Sequence, residues 1–361
     1  MRIKFIIGEA GTAKTSTLVR ITENLKGSYM CLAFTHSACN NMIDKGISSN
    51  HVKTLHSFFK IMPDTTFINI PSKVPNYILI DEFSLINVDL LENIFDKLKD
   101  FETTIVLAGD VLQLPPVQDY PNIRFENINL NGVCSLKDAK AIYHTLGRTI
   151  LNSHYYINSA KMLLTKNYRC GDSVISIMND ILNTGVIKNV KGTTKDLPED
   201  TVFIASTYKN LKRLYKQEGS GGVKTRIGFV DYSPEKNYIL TKNLTKIFNG
   251  DDVKIITVEE DFIKLSNGTD TEELKRNDNG YFDVLPYNYL TIHYAQGRGF
   301  KNVCLCIDDM FEIAMLYTGI TRAKENIYFI SHCTLNTNNE VDVSDLTRPF
   351  NIMRENVYSQ N

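Results

Sequence analysis

The feature that most constrains this chain is a glycine-rich loop between an apolar run and a helical stretch. It reads Gly8-Glu9-Ala10-Gly11-Thr12-Ala13-Lys14-Thr15. The apolar residues 3–7 predict a buried strand before the loop, which is the context that a phosphate-binding loop requires. Backbone N–H groups of such a loop and of the following helix bind the β- and γ-phosphates of a nucleotide. We expect the nucleotide to contact Gly8, Glu9, Ala10, Gly11, Thr12, Ala13, Lys14, Thr15 and Ser16.

Within the loop, Lys14 supplies a mobile positive charge for the phosphates, and the Thr15 hydroxyl is placed to hold Mg²⁺. Ala13 departs from the pattern, because glycine is usual immediately before the lysine. A Cβ atom at this position crowds the phosphates or strains the backbone. The Gly-Thr-Ala-Lys sequence is similar to the loop of the MCM and MoxR-type ATPase families, so we expect the alanine to be tolerated.

A second apolar run, residues 77–80, ends in the acidic pair Asp81 and Glu82. In a parallel sheet this arrangement places two carboxylates at the edge where the phosphates bind. We expect Asp81 to bind Mg²⁺, and Glu82 to orient and deprotonate the attacking water. The loop and the acidic pair together predict a nucleoside triphosphatase that uses ATP and Mg²⁺.

Short apolar runs alternate with helical stretches along the chain, a pattern typical of parallel α/β units. The predicted strands are residues 3–7, 29–34, 77–80, 105–108, 202–205, 303–307 and 327–330. The rhythm lapses between residues 118 and 163, so we place a domain boundary near residue 155. The predicted divisions are a first domain at 1–155, a second at 156–335 and a C-terminal tail at 336–361.

Residues 219–285 differ from the rest of the second half. They begin with a flexible turn, Gly219-Ser220-Gly221-Gly222, and continue in alternating short strands. Asn249-Gly250 is a typical hairpin signal within this region. These features predict a small β insertion within the second α/β domain.

The composition excludes some classes of protein. Charged residues make up 22% of the 361 residues and leave a formal net charge of −1, which argues against a purely electrostatic nucleic-acid binder. The seven cysteines are scattered without a Cys-x-x-Cys pair, which favours a reducing compartment. No apolar run approaches the roughly 18 residues of a membrane span. We therefore expect a soluble intracellular protein without a membrane partner, in the cytoplasm of a bacterium or of a virus-infected cell.

Further segments carry a resemblance to a known family. Residues 107–110 and 113–117 resemble the third motif of superfamily 1 helicases. Segments 33–36 and 54–57 resemble the motifs that line its strand channel, and segments 167–169, 291–297 and 317–324 resemble motifs of its second motor domain. The order and spacing match superfamily 1B, the 5′-to-3′ branch that includes RecD and the phage Dda helicase. The resemblance covers roughly residues 3–332.

This resemblance implies an α/β fold of two RecA-like P-loop motor domains, with an SH3-like β insertion (domain 2B) at about 219–285. It also implies that Gln113 touches the γ-phosphate, while Arg169 and Arg322 approach from the second domain as arginine fingers. The nucleotide is further expected to contact Tyr168, Gln296 and Gly297. The expected catalytic residues are Lys14, Glu82, Gln113, Arg169 and Arg322.

The resemblance also implies contacts with a single strand of nucleic acid. Threonine hydroxyls can donate to phosphates, and histidines can stack on bases or bond to the backbone. The expected strand contacts are Thr35, His36, Thr54, His56, Thr291 and His293. We expect single-stranded DNA as the partner in preference to RNA.

Two departures from the branch bear on activity. The loop begins at Gly8, with no glutamine motif of the kind that recognises adenine before it, so we expect base selectivity to be loose or to depend on Tyr168 stacking. Only residues 58–76 occupy the place of the strand-separating hairpin (domain 1B). Phe58 or Phe67 is a candidate wedge there, and a short wedge predicts weak unwinding.

Three functions stay open at this point. An active 5′-to-3′ DNA helicase fits the motifs best, and it predicts a monomer that works with replication, repair or recombination proteins. An RNA helicase of the plus-strand-virus type uses the same phosphate contacts. A non-catalytic strand-binding protein, disabled at Ala13, is the alternative from another class. Retention of Glu82, Gln113, Arg169 and Arg322 argues against it, because an inactive site has no need of them.

Overall fold

A parallel sheet lies at the centre of the first half of the chain. The computed structural model describes residues 1–61, 68–114, 150, 153–191, 193–215, 223–230, 235–308, 312–331 and 338–358. Within these ranges the first sheet has six strands in the order β3-β2-β4-β5-β1-β6. They are β1 (Arg2–Gly8), β2 (Tyr29–Ala33), β3 (Val52–Thr54), β4 (Tyr77–Asp81), β5 (Thr104–Gly109) and β6 (Ala160–Leu164).

Helices cover both faces of this sheet, which is why its strands are almost continuously apolar. Phe5 and Ile7 face one hydrophobic core, and Ile6 between them faces the other. The helices are α1 (Lys14–Thr22), α2 (His36–Asp44), α3 (Leu55–Phe59), α4 (Val88–Leu98) and α5 (His154–Ile157). Because all the strands are parallel, the ends of β1, β4 and β5 lie along one edge of the sheet.

A second parallel sheet, in the order β16-β8-β17-β18, has four strands among the described residues. They are β8 (Thr201–Ala205), β16 (Tyr289–Thr291), β17 (Phe300–Ile307) and β18 (Ala323–Ser331). The helices of this half are α6 (Asp172–Thr184), α7 (Tyr208–Leu214), α8 (Ile292–Ala295), α9 (Ile313–Ile320) and α10 (Ser344–Tyr358). Every strand predicted from the sequence is present in one of the two sheets. The α/β fold with two parallel sheets is therefore confirmed.

The pairing of strand β6 indicates where the first domain ends. It pairs with β1 from Lys4 opposite Ala160 to Gly8 opposite Leu164, so it is an edge strand of the first sheet. We propose that the boundary follows residue 164, and not residue 155 as the rhythm of the sequence predicts. Polar and irregular sequence precedes β6, and residues 115–149 and 151–152 of that stretch lie outside the described part of the chain.

The insertion in the second half is an antiparallel sheet in the order β14-β13-β12-β11-β15. Its strands are β11 (Asn237–Leu240), β12 (Asp252–Val258), β13 (Phe262–Ser266), β14 (Thr271–Lys275) and β15 (Val284–Pro286), preceded by the hairpin of β9 (Val223–Thr225) and β10 (Gly228–Val230). It encloses a hydrophobic core of its own. Asn249-Gly250 lies in the longer connection between β11 and β12, and the predicted turn at 219–222 lies outside the described residues.

The C-terminal segment folds back onto the second domain. The strand β19 (Val341–Asp342) pairs with β7 (Val186–Ile187), and α10 packs against α6 and α9. The sequence predicts only a tail here. In the part of the chain that the structure describes, no helix combines the length and the apolar character needed to cross a bilayer.

The alternation of buried and exposed residues in β12 gives a test of the insertion. Ile255 is 0% exposed and Ile256 is 44% exposed, because successive side chains of a strand point to opposite faces of the sheet. We expect Ile255→Ala to lower the free energy of unfolding by about 2–5 kcal/mol, since it leaves a cavity in a closed core. Ile256→Ala, the matched control, is expected to change it by roughly 0.5 kcal/mol or less. Urea denaturation measures both, and equal losses would contradict the register.

Candidate nucleotide site and strand groove

The glycine-rich loop closes around the side chain of Lys14. Its Nζ donates hydrogen bonds to the backbone carbonyls of Gly8, at 2.9 Å, and Glu9, at 2.8 Å. The Thr12 hydroxyl also donates to the Glu9 carbonyl, at 2.8 Å. Lys14 is only 8% exposed, so its ammonium group lies inside the concave face of the loop. This is the position from which a lysine reaches bound phosphates.

The backbone of the loop is left-handed at two positions. Gly11 has φ 81°, which glycine adopts readily, and Ala13 has φ 63°. A residue with a Cβ atom is strained in this region. Alanine in place of the usual glycine at position 13 therefore mainly strains the backbone of this residue, which directly precedes α1.

The acidic pair meets the loop at the end of β4. The Thr15 hydroxyl donates to Asp81 Oδ2 at 2.7 Å, and the Glu82 N–H donates to Asp81 Oδ1 at 3.0 Å. Burial, together with the neighbouring charge of Glu82, raises the pKa of Asp81 to about 6. A hydroxyl beside a buried carboxylate is an oxygen donor set that suits Mg²⁺. The residues present thus fit the metal that the sequence predicts.

Three buried polar atoms of the predicted site have no hydrogen-bond partner among the described residues. They are Glu82 Oε2, Gln113 Oε1 and Gln296 Nε2. A buried polar atom without a partner costs about 1–3 kcal/mol, so such atoms call for an explanation. A bound nucleotide with its metal and attacking water would provide partners for atoms of these kinds.

The residues after β5 carry Gln113 towards the loop. Gln113 Nε2 donates to Asp110 Oδ2 at 3.1 Å, and the Leu112 N–H donates to Asp110 Oδ1 at 3.0 Å. Asp110 is fully buried, and burial raises its pKa. This carboxylate orients Gln113 at the edge of the sheet. The remainder of the predicted motif, residues 115–117, lies outside the described residues.

The helix α9 of the second domain rests directly on these elements. The Tyr317 hydroxyl accepts a hydrogen bond from the Ala10 N–H at 3.2 Å and donates to Asp110 Oδ2 at 3.0 Å. The Leu114 N–H donates to the Thr318 hydroxyl at 3.1 Å. Tyr317 therefore joins the loop to the Gln113 segment. The sequence placed Tyr317 in a motif but assigned no role to it.

The segment 167–169 lies on the loop from the other side. Asn167 Nδ2 donates to the Ala10 carbonyl at 2.8 Å, and the Tyr168 N–H donates to the Gly11 carbonyl at 2.8 Å. A Cβ atom added to Gly11 would come within 2.9 Å of the Arg169 Cβ, so Arg169 begins beside the loop. The Tyr168 ring is 68% exposed, which leaves a face for stacking. The sequence placed Asn167 in a motif but did not identify it as a residue that positions the loop.

Arg322 is 1% exposed in the same cleft. Its guanidinium group donates to the carbonyls of Thr318, at 3.0 Å, and Arg298, at 3.1 Å. Burial and the nearby charge of Arg169 lower the pKa of Arg322 to about 10, while Glu82 opposes the shift. The structure thus brings Arg169 and Glu82 into electrostatic range of Arg322. Their catalytic roles stay predictions.

The other predicted nucleotide contacts lie in the same region. Gln296 follows α8 with its amide nitrogen buried, and Gly297 has φ 79°, a conformation that favours glycine. Ser16 is half-buried in the first turn of α1. Their contacts with a nucleotide stay predictions.

The three predicted strand-binding threonines share a structural position, because each precedes the first residue of a helix. The Thr35 and Thr54 hydroxyls accept from the backbone N–H groups of Ala38 and Ser57, each at 3.2 Å. Thr291 is 5% exposed and makes no such side-chain cap. A hydroxyl that accepts a capping bond still has its own proton to donate, so both roles are compatible.

The three histidines differ in their surroundings. His36 stacks on Phe248 of the insertion, with ring centroids 4.0 Å apart and an angle of 3° between the planes. His56 meets the edge of Phe34 at 5.2 Å. Burial lowers the pKa of both side chains and of His293, so all three favour the neutral form. The sequence did not indicate Phe248.

Arg298 connects the nucleotide cleft to the insertion. Its backbone carbonyl accepts from Arg322, and its guanidinium donates to Asp252 Oδ1 and to the Gly250 carbonyl, each at 2.5 Å. The nearby Tyr294 hydroxyl donates to Asn249 at 2.9 Å. The segment 248–252 is thereby fixed to the second domain, while its phenylalanine touches the first. A chain of direct contacts runs from the cleft to His36.

Comparison with known proteins gives a partial match in sequence. Residues 1–119 match a family described as an AAA domain. An uncharacterized protein of Methanocaldococcus jannaschii is 23% identical, over 98% of this chain and 39% of that protein. An uncharacterized protein of Acanthamoeba polyphaga mimivirus is 24% identical, over 71% of this chain and 60% of that protein. The chain thus spans less than two thirds of the length of either relative.

The solved structures extend the match to both domains. Bacteroides Pif1 bound to ssDNA is 18% identical and has a TM-score of 0.61, over 99% of this chain and 94% of that one. Pif1 helicase from Candida albicans is 15% identical with a TM-score of 0.59, over 100% of this chain and 96% of that one. Pif1 helicases belong to superfamily 1B, the branch that the motifs resemble. This chain therefore has the two-domain RecA-like fold that Pif1 helicases share.

Proposed function

We propose that this protein is an ATP-dependent helicase that moves 5′ to 3′ along single-stranded DNA. One observation carries the proposal, namely that residues of both domains meet the phosphate loop in one cleft. Tyr317 and Asn167 bond directly to the loop, Arg169 begins beside it, and Arg322 lies in electrostatic range of Arg169 and Glu82. A cleft of this kind converts the loss of a phosphate into relative movement of two domains.

The residues of the first domain have different roles in the proposed hydrolysis of ATP. Lys14 and the loop N–H groups bind the phosphates, and Thr15 with Asp81 would hold Mg²⁺. When bound, Mg²⁺ neutralises charge on the β- and γ-phosphate oxygens. Glu82 Oε2 has no hydrogen-bond partner among the described residues, and it is available to accept a proton from the attacking water. Gln113, oriented by Asp110, contacts the γ-phosphate.

Coupling to the strand follows the contacts of Arg298. When Arg322 turns towards a bound γ-phosphate, the carbonyl of Arg298 loses a partner, and the segment 248–252 moves with its side chain. Phe248 then shifts against His36, at the end of the first domain's strand-binding motif. Binding and loss of the γ-phosphate in the cleft thus alter how His36 contacts a base or phosphate of the strand some distance away.

We favour DNA as the polymer because structurally similar Pif1 proteins are described in complex with DNA. Pif1 of Bacteroides is described as bound to ssDNA, and a further Pif1 structure, 18% identical with a TM-score of 0.62, concerns unwinding of forked dsDNA. Another Bacteroides Pif1 structure holds ADP-AlF3 and ssDNA together. The viral RNA helicase alternative shares every phosphate contact, so only a substrate test separates the two polymers.

Other expectations stay predictions. They include the monomeric state, replication or recombination proteins as partners, and an intracellular location. Weak unwinding also stays a prediction. Phe58 is half-buried against the first core and packs edge-on against Phe59 at 4.9 Å, which restricts it as a wedge, and Phe67 lies outside the described residues.

The first test is strand-stimulated hydrolysis. We expect Glu82→Gln to lower kcat for ATP by at least about 10²-fold, because the amide cannot accept the proton of the water. Binding of a labelled single strand is expected to change little. Glu102→Gln, on an exposed turn, is the matched control. A wild-type protein that shows no hydrolysis with Mg²⁺ and a single strand would refute the motor.

Direction and polymer are tested together by unwinding. Duplexes with a 5′ or a 3′ single-stranded tail are prepared from DNA and from RNA. We expect ATP-dependent separation of the DNA duplex with the 5′ tail. Separation of the RNA duplex alone would establish the viral RNA alternative, and dependence on a 3′ tail would overturn the direction.

The strained alanine tests the non-catalytic alternative. We expect Ala13→Gly to raise the free energy of unfolding by about 1 kcal/mol, because glycine adopts φ 63° without strain. Hydrolysis by the wild-type protein is expected to be present already. Ala10→Gly, in the same loop, serves as the control and is expected to lose about 0.4–1 kcal/mol of stability, because glycine gives the unfolded chain more conformational freedom. An ATPase activity found only in Ala13→Gly would instead support a disabled site.

The aromatic contact between the domains tests the coupling. We expect Phe248→Ala to leave basal hydrolysis within about twofold and to weaken single-strand binding up to about tenfold, since His36 loses an aromatic contact of about 0.5–1.5 kcal/mol that positions it. Phe229→Ala removes a 39% exposed phenylalanine of the same insertion and is expected to have no effect. Fluorescence anisotropy with a labelled oligonucleotide measures both. Equal affinities of the two variants would remove Phe248 from the coupling route.

A further inference from the structure

The C-terminal helix α10 reaches the phosphate loop. Arg354 Nε donates to Glu9 Oε1 at 2.6 Å, across 345 positions of sequence and across the cleft between the domains. The two side chains are 30% and 23% exposed, so the pair is largely withdrawn from water. A pair of this geometry is stronger than an exposed surface pair.

Packing fixes the helix at this place. Phe350 is 1% exposed and its ring lies 5.2 Å from that of Tyr317. Asn351 Nδ2 donates to the Leu182 carbonyl at 2.7 Å. Since Tyr317 also bonds to the loop through Ala10, the same residues that assemble the cleft position Arg354 beside Glu9.

The carboxylate of Glu9 presents an electrostatic difficulty. It belongs to a loop that our proposed function assigns to a triphosphate, and like charges repel strongly in a site of low dielectric constant. The ammonium group of Lys14 bonds to the backbone carbonyls of Gly8 and Glu9 and not to this carboxylate. Among the described residues, Arg354 is the cation that pairs with the Glu9 carboxylate.

We propose that Arg354 is a positioning residue of the nucleotide site. It neutralises Glu9 and holds that side chain against α10, so that the loop accepts the polyphosphate of ATP. The C-terminal helix is thereby part of the nucleotide site of the first domain, although it belongs to the second. This inference rests on the proposed ATP binding at the loop.

The test separates KM from kcat. We expect Arg354→Ala to raise KM for ATP about tenfold, corresponding to ~1.4 kcal/mol, and to leave kcat within about twofold. The cause is a carboxylate without its counter-charge, so Glu9→Gln in the Arg354→Ala background is expected to restore KM. Arg354→Lys, which retains the charge, is expected to raise KM by less than Arg354→Ala. Lys188→Ala, which removes a cation from the surface pair with Asp180, is the matched control.

Direct binding of a fluorescent ATP analogue keeps the inference distinct from the motor itself. If the wild-type protein binds the analogue but does not hydrolyse ATP, the proposed function fails, and weaker binding by Arg354→Ala still supports this inference. An unchanged KM and an unchanged analogue affinity in Arg354→Ala would overturn it. So would a KM that stays high in the double variant, since Arg354 would then act on something other than Glu9.

Discussion

The hydroxyl group of Tyr317 is the contact on which the arrangement of the cleft depends. It accepts a hydrogen bond from the phosphate loop at Ala10 and donates one to Asp110, which in turn orients Gln113. The tyrosine belongs to the second domain and its two partners belong to the first. Any opening of the cleft must therefore break these bonds or carry the loop along, which links the position of the domains to the shape of the site.

Around this contact lie buried polar groups that the described residues leave unpaired. The buried oxygens of Glu82 and Gln113 and the buried amide of Gln296 lack partners among the described residues. Burial also disfavours the charges of Asp81 and Arg322. Unpaired buried groups lower the stability of the protein, and the nucleotide of our proposed function would offset that loss by binding to them.

Much of the nucleotide site could be predicted from the sequence, because its motifs are formed by residues that lie close together in the chain. A strand, a glycine-rich turn and a helix follow one another within residues 2–22, and the strand before Asp81 is an unbroken apolar run. Both features are fixed by neighbouring residues, so the sequence indicated them directly. The boundary near residue 155 is different. The strand β6 joins the first sheet through backbone bonds to β1, and the identities of its exposed side chains do not specify such a partner.

The sequence by itself determined which groups are available: the loop, the two carboxylates, Gln113, the two arginines and the threonines that precede helices. The tertiary structure decided which of them meet. The pairing of Glu9 with Arg354, the stack of His36 on Phe248 and the grip of Arg298 on the insertion join residues far apart in the chain. Each contact depends on how separately folded units pack together. Neither the periodicity of apolar residues nor a short motif specifies which residues of two such units will meet.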